Sequence, residues 1–438
     1  MLGFILSALS MMVMPSVWGE SVLWGLGASG VLLMNSSDSA SWKVGFLGEM
    51  DYVSWSLSLL SLWVVALAVL GSKGIKKMSG LRFFFSSLAV SLVVVFLVSF
   101  YVSDFMFFYL SFEVCLVPIF FLILGWGYQP ERAQAGIYML FYTLFGSLPL
   151  FFLIIQKNNT GDSYMHNLSE VDSGGIFFML FLVGAFLVKF PMYSVHLWLL
   201  KAHVEAPVAG SMILAGVMLK LGGYGLVRVL PFWVESTCAL SEVILCLSLW
   251  GGVVISLSCL RQMDMKLLIA SSSVVHMSMC IGGLFVMSEW GLKGTVSVMV
   301  AHGLCSSGLF YLANVVYERT GSRSMSISKG LLSLMPSMCL WWFLLLGANM
   351  AAPPSLNLLG EILLISTLVS WSNQVLLVVG LLSFFSASYS LYLFSLSQHG
   401  VSVNSKSGFH SGCVLEYLVS GAHWIPLNII MICLFWLM

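Results

Sequence analysis

The sequence predicts an all-α polytopic membrane protein, and its composition and charge balance lead to that fold class. Apolar residues fill 59% of the 438 positions and charged residues only 8%, whereas a soluble domain carries roughly 25% charge. Runs long enough for a membrane helix, which needs about 20 apolar residues, recur along the whole chain. Lys plus Arg balance Asp plus Glu at 18 each, which excludes a strongly basic surface for nucleic acid or a polybasic lipid-binding tail.

The candidate membrane helices follow one another with short loops between them. They lie at about 1–18, 21–34, 52–71, 82–103, 105–125, 135–156, 175–198, 207–230, 240–260, 265–288, 294–316, 331–349, 355–372, 374–397 and 415–438. The loops leave no room for a domain outside the membrane. Many membrane helices with little beyond them are typical of a transporter or channel core.

The distribution of Lys and Arg predicts the orientation. If 331–372 is one interrupted helix, the chain crosses the membrane fourteen times. Twelve of the 18 basic residues then fall in loops on one side and four on the other. By the positive-inside rule, the basic side faces the cytosol or matrix and both termini face the opposite side. The two remaining basic residues, Lys189 and Lys220, lie inside predicted helices.

Two predicted helices are interrupted by proline, at Lys189-Phe190-Pro191 and at Ala352-Pro353-Pro354. Proline removes a backbone donor and releases a carbonyl that lipid cannot satisfy, so such breaks line wet cavities or pack inside protein. One break in each half of the chain favours an inverted-repeat transporter. Ordinary proline kinks are the alternative interpretation.

Four ionisable residues lie deep within predicted helices: Glu113, Lys189, Lys220 and Glu361. Each charge costs roughly 3 kcal/mol at the bilayer centre even on the gentlest insertion scale. Two carboxylates and two amines suit a proton relay, because each group holds or releases a proton as its neighbour's charge changes. Two structural buried salt bridges are the alternative.

The surroundings of the two lysines also predict contacts. Tyr224 follows Lys220 by four residues, so its hydroxyl is placed to hydrogen-bond the amine, and the glycines nearby let neighbouring helices approach. His196 follows Lys189 by seven residues and would share its face if the helix resumed. We therefore expect the environment of both amines to be polar.

Two histidines, His276 and His302, lie on successive predicted helices between Lys220 and Glu361 in the sequence. Imidazole is neutral near pH 7 and passes protons through its two nitrogens. We predict that both belong to the relay, with hydrogen-bonded core histidines as the alternative. His423 is placed near a loop and is left out of the relay.

Several stretches closely resemble the antiporter-like, proton-translocating subunits of respiratory complex I, NADH:ubiquinone oxidoreductase. These stretches are FEVCLVPIFFLILGWGYQPERAQAGIYMLFYTLFGSLPL (112–150), LVKFPMYSVHLWLLKAHVEAPVAGSMILAGVMLKLGGYGLVRVL (187–230), SLWGGVVISLSCLRQMDMKLLIASSSVVHMSM (248–279), AHGLCSSGLFYLANVVYERTGSR (301–323) and PPSLNLLGEILL (353–364). The resemblance covers about 80–397, and the phrases KAHVEAP and LKLGGYG are specific to it.

The resemblance implies a fold of about 14 transmembrane helices with two inverted five-helix repeats, each containing a discontinuous helix. The N-terminal helices would then occupy 1–80, the first repeat 81–230, the second repeat 240–397, and the C-terminal loop and last helix 398–438.

The resemblance also implies a role for each residue of the relay. Glu113 would respond to the neighbouring subunit, with Lys189 as its partner, and Lys220 would be the central lysine of the proton path. His276 and His302 would lie along a hydrated axis that ends at Glu361, toward a distal antiporter-like subunit.

A subunit of NADH:ubiquinone reductase in the mitochondrial inner membrane is the function that this resemblance implies, with both termini on the intermembrane-space side. Its partners would be the other membrane and peripheral subunits, including neighbouring antiporter-like subunits, and the lipid bilayer, with no nucleic acid. The nine cysteines occur singly, so we expect no iron–sulfur or zinc site in this chain. Flavin, iron–sulfur clusters and ubiquinone are expected in partner subunits. A subunit of an Mrp-type cation/proton antiporter and a non-transporting structural membrane subunit are the alternatives.

Overall fold

The computed structural model describes residues 2–13, 18–34, 42–43, 48–76, 81–158, 176–232, 238–401 and 410–432. Within these ranges the chain is almost entirely helical, as its composition predicts. It divides into two compact units. The first comprises Met1–Pro191 with Glu205–Glu242, and the second comprises Met192–Val204 with Val243–Met438.

In the described part of the chain, twelve α-helices lie between residues 2 and 229. They are α1 (Leu2–Val13), α2 (Trp18–Met34), α3 (Tyr52–Gly71), α4 (Lys73–Lys76), α5 (Arg82–Tyr101), α6 (Phe105–Val114), α7 (Leu116–Trp126), α8 (Arg132–Asn158), α9 (Ile176–Lys189), α10 (Leu197–Glu205), α11 (Val208–Ile213) and α12 (Leu219–Val229). A π-helical segment, Leu214–Met218, joins α11 to α12, and a 3-10 turn, Leu230–Phe232, follows α12. Two short antiparallel strands, β1 (Trp42–Lys43) and β2 (Glu49–Met50), precede α3.

Eight more α-helices follow in the described residues from 238 to 432. They are α13 (Cys238–Cys259), α14 (Met265–Phe285), α15 (Glu289–Thr320), α16 (Leu331–Leu334), α17 (Pro336–Asn349), α18 (Leu356–Trp371), α19 (Val375–Gln398) and α20 (Val414–Ile432).

Among the residues that the structure describes, ten helices are long and apolar enough to cross a membrane. They are Tyr52–Gly71, Arg82–Tyr101, Phe105–Trp126, Arg132–Gln156, Val208–Val229, Leu240–Cys259, Met265–Phe285, Glu289–Thr320, Val375–Gln398 and Val414–Ile432. Shorter apolar helices occur at Gly3–Met12, Phe177–Lys189 and Leu356–Trp371. The chain is therefore a multi-pass helical membrane protein, as predicted.

Aromatic side chains fill the centre of the first unit. Phe108 on α6 contacts the rings of Phe112, Phe186 and Tyr224 at centroid distances of 5.8, 6.1 and 5.8 Å. Phe100 at the end of α5 meets Tyr224 edge-on at 5.3 Å. These contacts join α5, α6, α9 and α12 around one apolar core.

The 32-residue helix α15 forms the centre of the second unit and packs against α14, α17, α18 and α20. Its first turn is capped by Ser288, whose hydroxyl accepts a hydrogen bond from the Gly291 N–H. Its last turn ends at Gly321, which adopts the left-handed conformation (φ 68°) that glycine tolerates. Both ends of this central helix are thus defined by local sequence.

Both predicted proline breaks are confirmed. Helix α9 ends at Lys189 and α10 begins at Leu197, while α17 ends at Asn349 and α18 begins at Leu356.

The structure differs from the sequence prediction in three segments. The span predicted at 105–125 is split at Cys115, because Pro118 offers no N–H to the carbonyl of Val114. Pro336 likewise separates α16 from α17 within 331–349. Helix α15 extends well beyond the predicted 294–316. The ends of the spans predicted at 1–18 and 415–438, and the basic residues Lys77 and Lys406, lie outside the described residues.

Candidate functional site

Glu113 and Lys189 meet in the first unit, as predicted. The Lys189 Nζ lies 3.8 Å from the Glu113 Oε1, and the side chains are 2% and 15% exposed respectively. Lys189 Nζ also donates a hydrogen bond to the Phe112 carbonyl and lies 3.1 Å from the centroid of the Phe112 ring. The carbonyl dipole and the ring face both favour the charged amine, so the site can hold an ammonium inside the membrane.

The Glu113 carboxylate has no hydrogen-bond partner on either oxygen among the described residues. It lies at the end of α6, two residues before the break at Cys115. A separation of 3.8 Å from Lys189 exceeds the roughly 2.7–3.2 Å of a hydrogen bond. The two groups therefore attract each other without being locked together.

Lys220 is fully buried and lies two residues after Met218, the last residue of the π-helical segment. Its Nζ donates to the Ala215 carbonyl, five residues earlier, at 2.6 Å. In this segment the backbone bonds also reach five residues back, as the Leu219 N–H does to the Leu214 carbonyl. Single π-helical turns inside α-helices occur frequently at functional sites.

Two glycines of the LKLGGYG phrase allow α12 to pack closely on the end of α9. A Cβ at Gly222 would lie 2.6 Å from the Phe190 backbone nitrogen, and one at Gly225 would lie 2.2 Å from the Phe186 ring. The helix that carries Lys220 therefore lies directly on the chain segment that carries Lys189. The predicted close approach of helices at these glycines is present.

The predicted contact between Tyr224 and Lys220 is wrong, and the continuous helix that would place His196 on the face of Lys189 is not formed. The Tyr224 hydroxyl donates to the Phe100 carbonyl at 3.1 Å and not to Lys220, because the amine folds back along its own helix onto Ala215. His196 lies in the connection between α9 and α10, where it stacks on Tyr193 at 5.7 Å, so it does not continue the helix of Lys189.

His276, His302 and Glu361 come together in the second unit. His276 Nδ1 lies 3.4 Å from the Glu361 Oε1, and the side chains are 2% and 11% exposed respectively. The rings of His276 and His302 have centroids 5.5 Å apart. A fourth group, the buried Tyr389 of α19, has its hydroxyl 3.4 Å from His276 Nε2. His276 is thus placed between an acid and a phenol, each facing one ring nitrogen.

The hydroxyls nearest to these histidines along the chain bond to backbone. Ser272 and Ser273 donate to the carbonyls of residues three positions earlier in α14, and Ser306 donates to the His302 carbonyl at 2.6 Å. They are therefore not the partners of the imidazole rings. The ring contacts of His276 come from other helices, with Glu361 of α18 at Nδ1 and Tyr389 of α19 at Nε2.

The break between α17 and α18 brings polar atoms to the helix that carries Glu361. The Asn357 side chain donates across the break to the Ala348 carbonyl at 3.0 Å. Three buried polar atoms near this break have no hydrogen-bond partner among the described residues: Asn349 Oδ1, Ser355 Oγ and Asn357 Oδ1. Buried polar atoms of this kind are commonly satisfied by ordered water.

The sequence reasoning missed two residues of the second unit. Tyr389 shows no signal beyond a tyrosine in an apolar helix. His423 lies not near a loop but inside α20, fully buried, with its Nδ1 3.2 Å from the Ser307 hydroxyl. The position of His423 within an apolar run of the sequence could have indicated that it lies inside a helix.

No group of three or more His, Cys, Asp or Glu side chains in the described ranges could hold a metal ion. The side chains of both clusters, a carboxylate with an amine in the first unit and a carboxylate with imidazoles and a phenol in the second, all bind and release protons, so both clusters can take part in proton exchange.

Two family models match this chain. The model "NADH-ubiquinone oxidoreductase chain 4, amino terminus" matches residues 1–100, and the model "NADH:quinone oxidoreductase/Mrp antiporter, TM" matches residues 102–386. Together they cover most of the chain.

Relatives that bear the name NADH-ubiquinone oxidoreductase chain 4 match almost from end to end. The protein of Ceratitis capitata is 49% identical over 414 residues, which cover 93% of this chain and 92% of the relative. The protein of Aedes aegypti is 51% identical over 402 residues, which cover 90% of each chain.

Two solved structures share the fold. A chain of respiratory complex I from Thermus thermophilus superposes with a TM-score of 0.89 at 20% identity, covering 99% of this chain and 96% of that one. A chain of the Mrp complex from Dietzia superposes with a TM-score of 0.80 at 19% identity, covering 98% of this chain and 49% of that one. At these identities the likeness establishes the antiporter-like fold alone.

Proposed function

Because this chain belongs to the NADH-ubiquinone oxidoreductase chain 4 family, we propose that it is a proton-translocating membrane subunit of respiratory complex I. Electron transfer from NADH to ubiquinone takes place in partner subunits, and this chain moves protons in response. The animal relatives support a location in the mitochondrial inner membrane. The basic loops support an orientation with both termini on the intermembrane-space side.

The observation that carries this proposal is the separation within the buried pairs. Glu113 and Lys189 are 3.8 Å apart, and His276 and Glu361 are 3.4 Å apart. Both distances exceed that of a hydrogen bond, so each pair can change partners without first breaking one. A proton passes between the members of a pair when they close to hydrogen-bond distance or through one bridging water. Such pairs suit a relay better than a scaffold.

The first step of the mechanism takes place at Glu113 and Lys189. A change of charge in a neighbouring subunit alters the attraction between them. Lys189 holds its proton beside the Phe112 carbonyl and ring while the pair is close. When the pair separates, Glu113 becomes available as a proton acceptor, and the altered field favours proton release from Lys220.

The later steps belong to the second unit. His276 takes up a proton on one nitrogen and releases one from the other, since Glu361 faces Nδ1 and Tyr389 faces Nε2. His302 lies beside it and extends the set of imidazoles. Glu361 is the terminal acid of the path, from which the proton leaves.

The energy for this transport comes from outside the chain. Moving one charge across the membrane costs about 2.3 kcal/mol for every 100 mV. We propose that partner subunits hold the flavin, the iron–sulfur clusters and the ubiquinone site that supply this energy, and that neighbouring antiporter-like subunits transmit it. This chain itself then needs no redox centre.

The finer architecture is part of the proposal. About fourteen transmembrane helices in two inverted five-helix repeats, at 81–230 and 240–397, accommodate the ten long spans together with the shorter apolar helices. The breaks after α9 and after α17 supply the discontinuous helix of each repeat.

The first experiment isolates the chain with its partners. Extraction in a mild detergent followed by mass spectrometry should recover flavin- and iron–sulfur-bearing subunits in stoichiometric amounts. Recovery of membrane subunits alone, with no redox partner, would instead indicate an antiporter of the Mrp type.

A second experiment tests the relay within the assembled complex. Lys220→Met should abolish proton pumping coupled to NADH oxidation while the complex still assembles. Lys293→Met is the matched control, because Lys293 is an exposed lysine near the start of α15. Normal pumping by the Lys220→Met complex would remove Lys220 from the path and favour a structural role.

A further inference from the structure

The two members of the Glu113–Lys189 pair are held very differently. The Lys189 side chain is 2% exposed; its Nζ donates to the Phe112 carbonyl and lies 3.1 Å from the centroid of the Phe112 ring and 3.9 Å from the Cys115 Sγ. The Glu113 side chain is 15% exposed, and neither of its oxygens has a hydrogen-bond partner among the described residues. The amine is therefore fixed by a carbonyl, a ring and a sulfur atom, whereas the carboxylate can change its position.

A buried carboxylate that leaves its ion-pair partner needs another hydrogen-bond donor, because an unpaired charge is costly away from water. Side chains of an α-helix lean toward its N-terminus, so the Glu113 carboxylate leans back along α6 toward the turn that carries Tyr109. The two residues are four positions apart and therefore share one face of α6. The Ser111 hydroxyl and the Cys115 thiol, which are nearer in the sequence, each donate to a backbone carbonyl of α6.

Two hydroxyls, those of Tyr109 and Ser147, lie between α6 and α8. Tyr109 is buried, and its ring stacks on Phe151 of α8 at a centroid distance of 5.1 Å. Its hydroxyl is hydrogen-bonded to the Ser147 side chain, and the charge of Glu113 acts on it. Ser147 is fully buried and donates to the Leu144 carbonyl at 3.2 Å, the long end of the hydrogen-bond range. Ser147 can therefore turn its O–H to the Tyr109 oxygen, which leaves the phenolic O–H for Glu113.

The same part of α8 packs on the end of α9. A Cβ on Gly146, the residue before Ser147, would lie 2.9 Å from the Cγ2 of Val188, the residue before Lys189. Helices α6, α8 and α9 therefore meet around Glu113, with the amine on α9 and the Ser147 hydroxyl on α8. The carboxylate can change partners by rotating its own side chain, without a movement of the helices.

We propose that Glu113 is the mobile member of the pair and that Tyr109, held by Ser147, is its second partner. This inference rests on the proposed function and specifies what happens when the pair separates. While the pair is close, the carboxylate faces Lys189. When the pair separates, the carboxylate accepts a hydrogen bond from the Tyr109 hydroxyl. Tyr109 keeps its proton throughout, so it is a positioning residue and no covalent bond forms or breaks.

The second partner stabilises the separated state of the pair. Lys189 stays beside the Phe112 carbonyl, so separation moves the negative charge and leaves the positive charge in place. Without the Tyr109 hydroxyl, the separated carboxylate would be buried without a donor. The pair would then remain closed for a larger fraction of the time, and every step that depends on its separation would become slower.

The test uses the assembled complex in proteoliposomes, with NADH oxidation and proton translocation measured together. Tyr109→Phe removes the hydroxyl and keeps the ring that stacks on Phe151. It should lower coupled turnover about tenfold or more, because a hydrogen bond to a charged group contributes roughly that factor. Ser147→Ala should cause a smaller loss, because Tyr109 keeps its hydroxyl. Tyr142→Phe on α8, in the same unit, is the matched control and should behave as wild type.

Redox-induced infrared difference spectra separate a positioning role from a packing role. The carboxyl bands that disappear in Glu113→Gln belong to Glu113. Tyr109→Phe should shift those bands, because the hydroxyl binds the carboxylate, and Tyr142→Phe should leave them unchanged. Lower turnover in Tyr109→Phe with unshifted bands would mean that the hydroxyl acts only through packing, and the proposal would be wrong.

The outcomes also separate the role of Tyr109 from the proposed function. Normal pumping in Tyr109→Phe, with pumping lost in Glu113→Gln, would overturn the role of Tyr109 and leave the proposed function standing. Normal pumping in both Glu113→Gln and Lys220→Met would overturn both. Should the Tyr109→Phe complex fail to assemble, Ser147→Ala decides the question, because it removes a single buried oxygen. Reduced pumping with shifted Glu113 bands would support the proposal, and normal pumping with unshifted bands would overturn it.

Discussion

The close packing of α12 on the end of α9 predicts that Gly222→Ala damages the protein even though the added group is a single methyl. The new Cβ would lie 2.6 Å from the Phe190 backbone nitrogen and 3.0 Å from the Phe186 carbonyl oxygen. Both are backbone atoms, so no side-chain rotation can relieve the overlap. Ordinary contact begins near 3.4 Å, which requires α12 to move by about 0.8 Å.

The expected cost follows from two opposing effects. Overpacking of this kind costs roughly 1–3 kcal/mol, and alanine recovers about 1 kcal/mol because it forms helix better than glycine. A net destabilisation of about 1 kcal/mol is therefore expected. The effect on pumping should be larger, because a misplacement of about 1 Å between reacting groups can cost roughly a hundredfold in rate. Lys220 lies only two residues from the substitution.

The assay compares thermal stability of the purified complex with its NADH-driven proton translocation. Gly184→Ala is the matched control, because Gly184 lies on α9 in the same unit and a Cβ there has no atom within 4 Å. The control should be as stable as wild type or slightly more so and should pump normally. Equal stability and pumping in Gly222→Ala and Gly184→Ala would refute the argument that this contact sets the position of Lys220.

Two further predictions concern the second unit. Tyr389→Phe removes the hydroxyl that lies 3.4 Å from His276 Nε2. It should lower the ratio of protons moved to NADH oxidised, and the complex should still assemble. An unchanged ratio would exclude Tyr389 from the site. Arg319→Gln leaves Glu416 buried without its ion-pair partner and should destabilise the complex by roughly 3–5 kcal/mol in thermal melts. The double variant Arg319→Met/Glu416→Leu should recover most of that loss, and equal stability of the single variant and wild type would contradict the reasoning.

The fold could be predicted from the sequence where the physical cause is local. Apolar runs identify membrane helices because lipid offers no hydrogen-bond partners, so the backbone must satisfy its own N–H and C=O groups by forming a helix. The two breaks at Pro191 and at Pro353-Pro354 were predicted because proline lacks the donor that a helix needs. The same reasoning applied to Pro118 would have found the split at Cys115, which lies beside Glu113.

The geometry of the site could be predicted only in part. The four charged residues were evident because a charge in an apolar run is costly. The partners of the buried histidines come from distant parts of the chain: Tyr389 is 113 residues from His276, and Ser307 is 116 residues from His423. The π-helical segment before Lys220 has no sequence signal that periodicity could reveal. Contacts of this kind depend on packing between helices, which a single sequence does not specify.

The buried ion pair of Arg319 and Glu416 has the geometry of a structural contact, and the proposed relay pairs can be compared with it. Arg319 and Glu416 form a buried ion pair at 2.6 Å, and further hydrogen bonds from the Cys413 N–H to Glu416 and from Arg319 to two backbone carbonyls hold it in place. This is the geometry that a structural role requires, because each desolvated charge needs full compensation.

The pairs assigned to proton transfer lack that geometry. The Glu113 carboxylate lies 3.8 Å from Lys189 and accepts no hydrogen bond among the described residues, and Glu361 lies 3.4 Å from His276. A buried charge whose partner lies beyond hydrogen-bond distance lowers the stability of the protein, which is a disadvantage in a scaffold. In a relay, the same loose contact lets the pair respond to a change in nearby charge, because fewer hydrogen bonds must be broken when a proton moves. Neutralising Arg319 should therefore impair stability before pumping, whereas neutralising Lys220 should impair pumping before stability. If the buried charges only held a scaffold together, neutralising Arg319 and neutralising Lys220 would both lower stability first, and pumping would not respond separately.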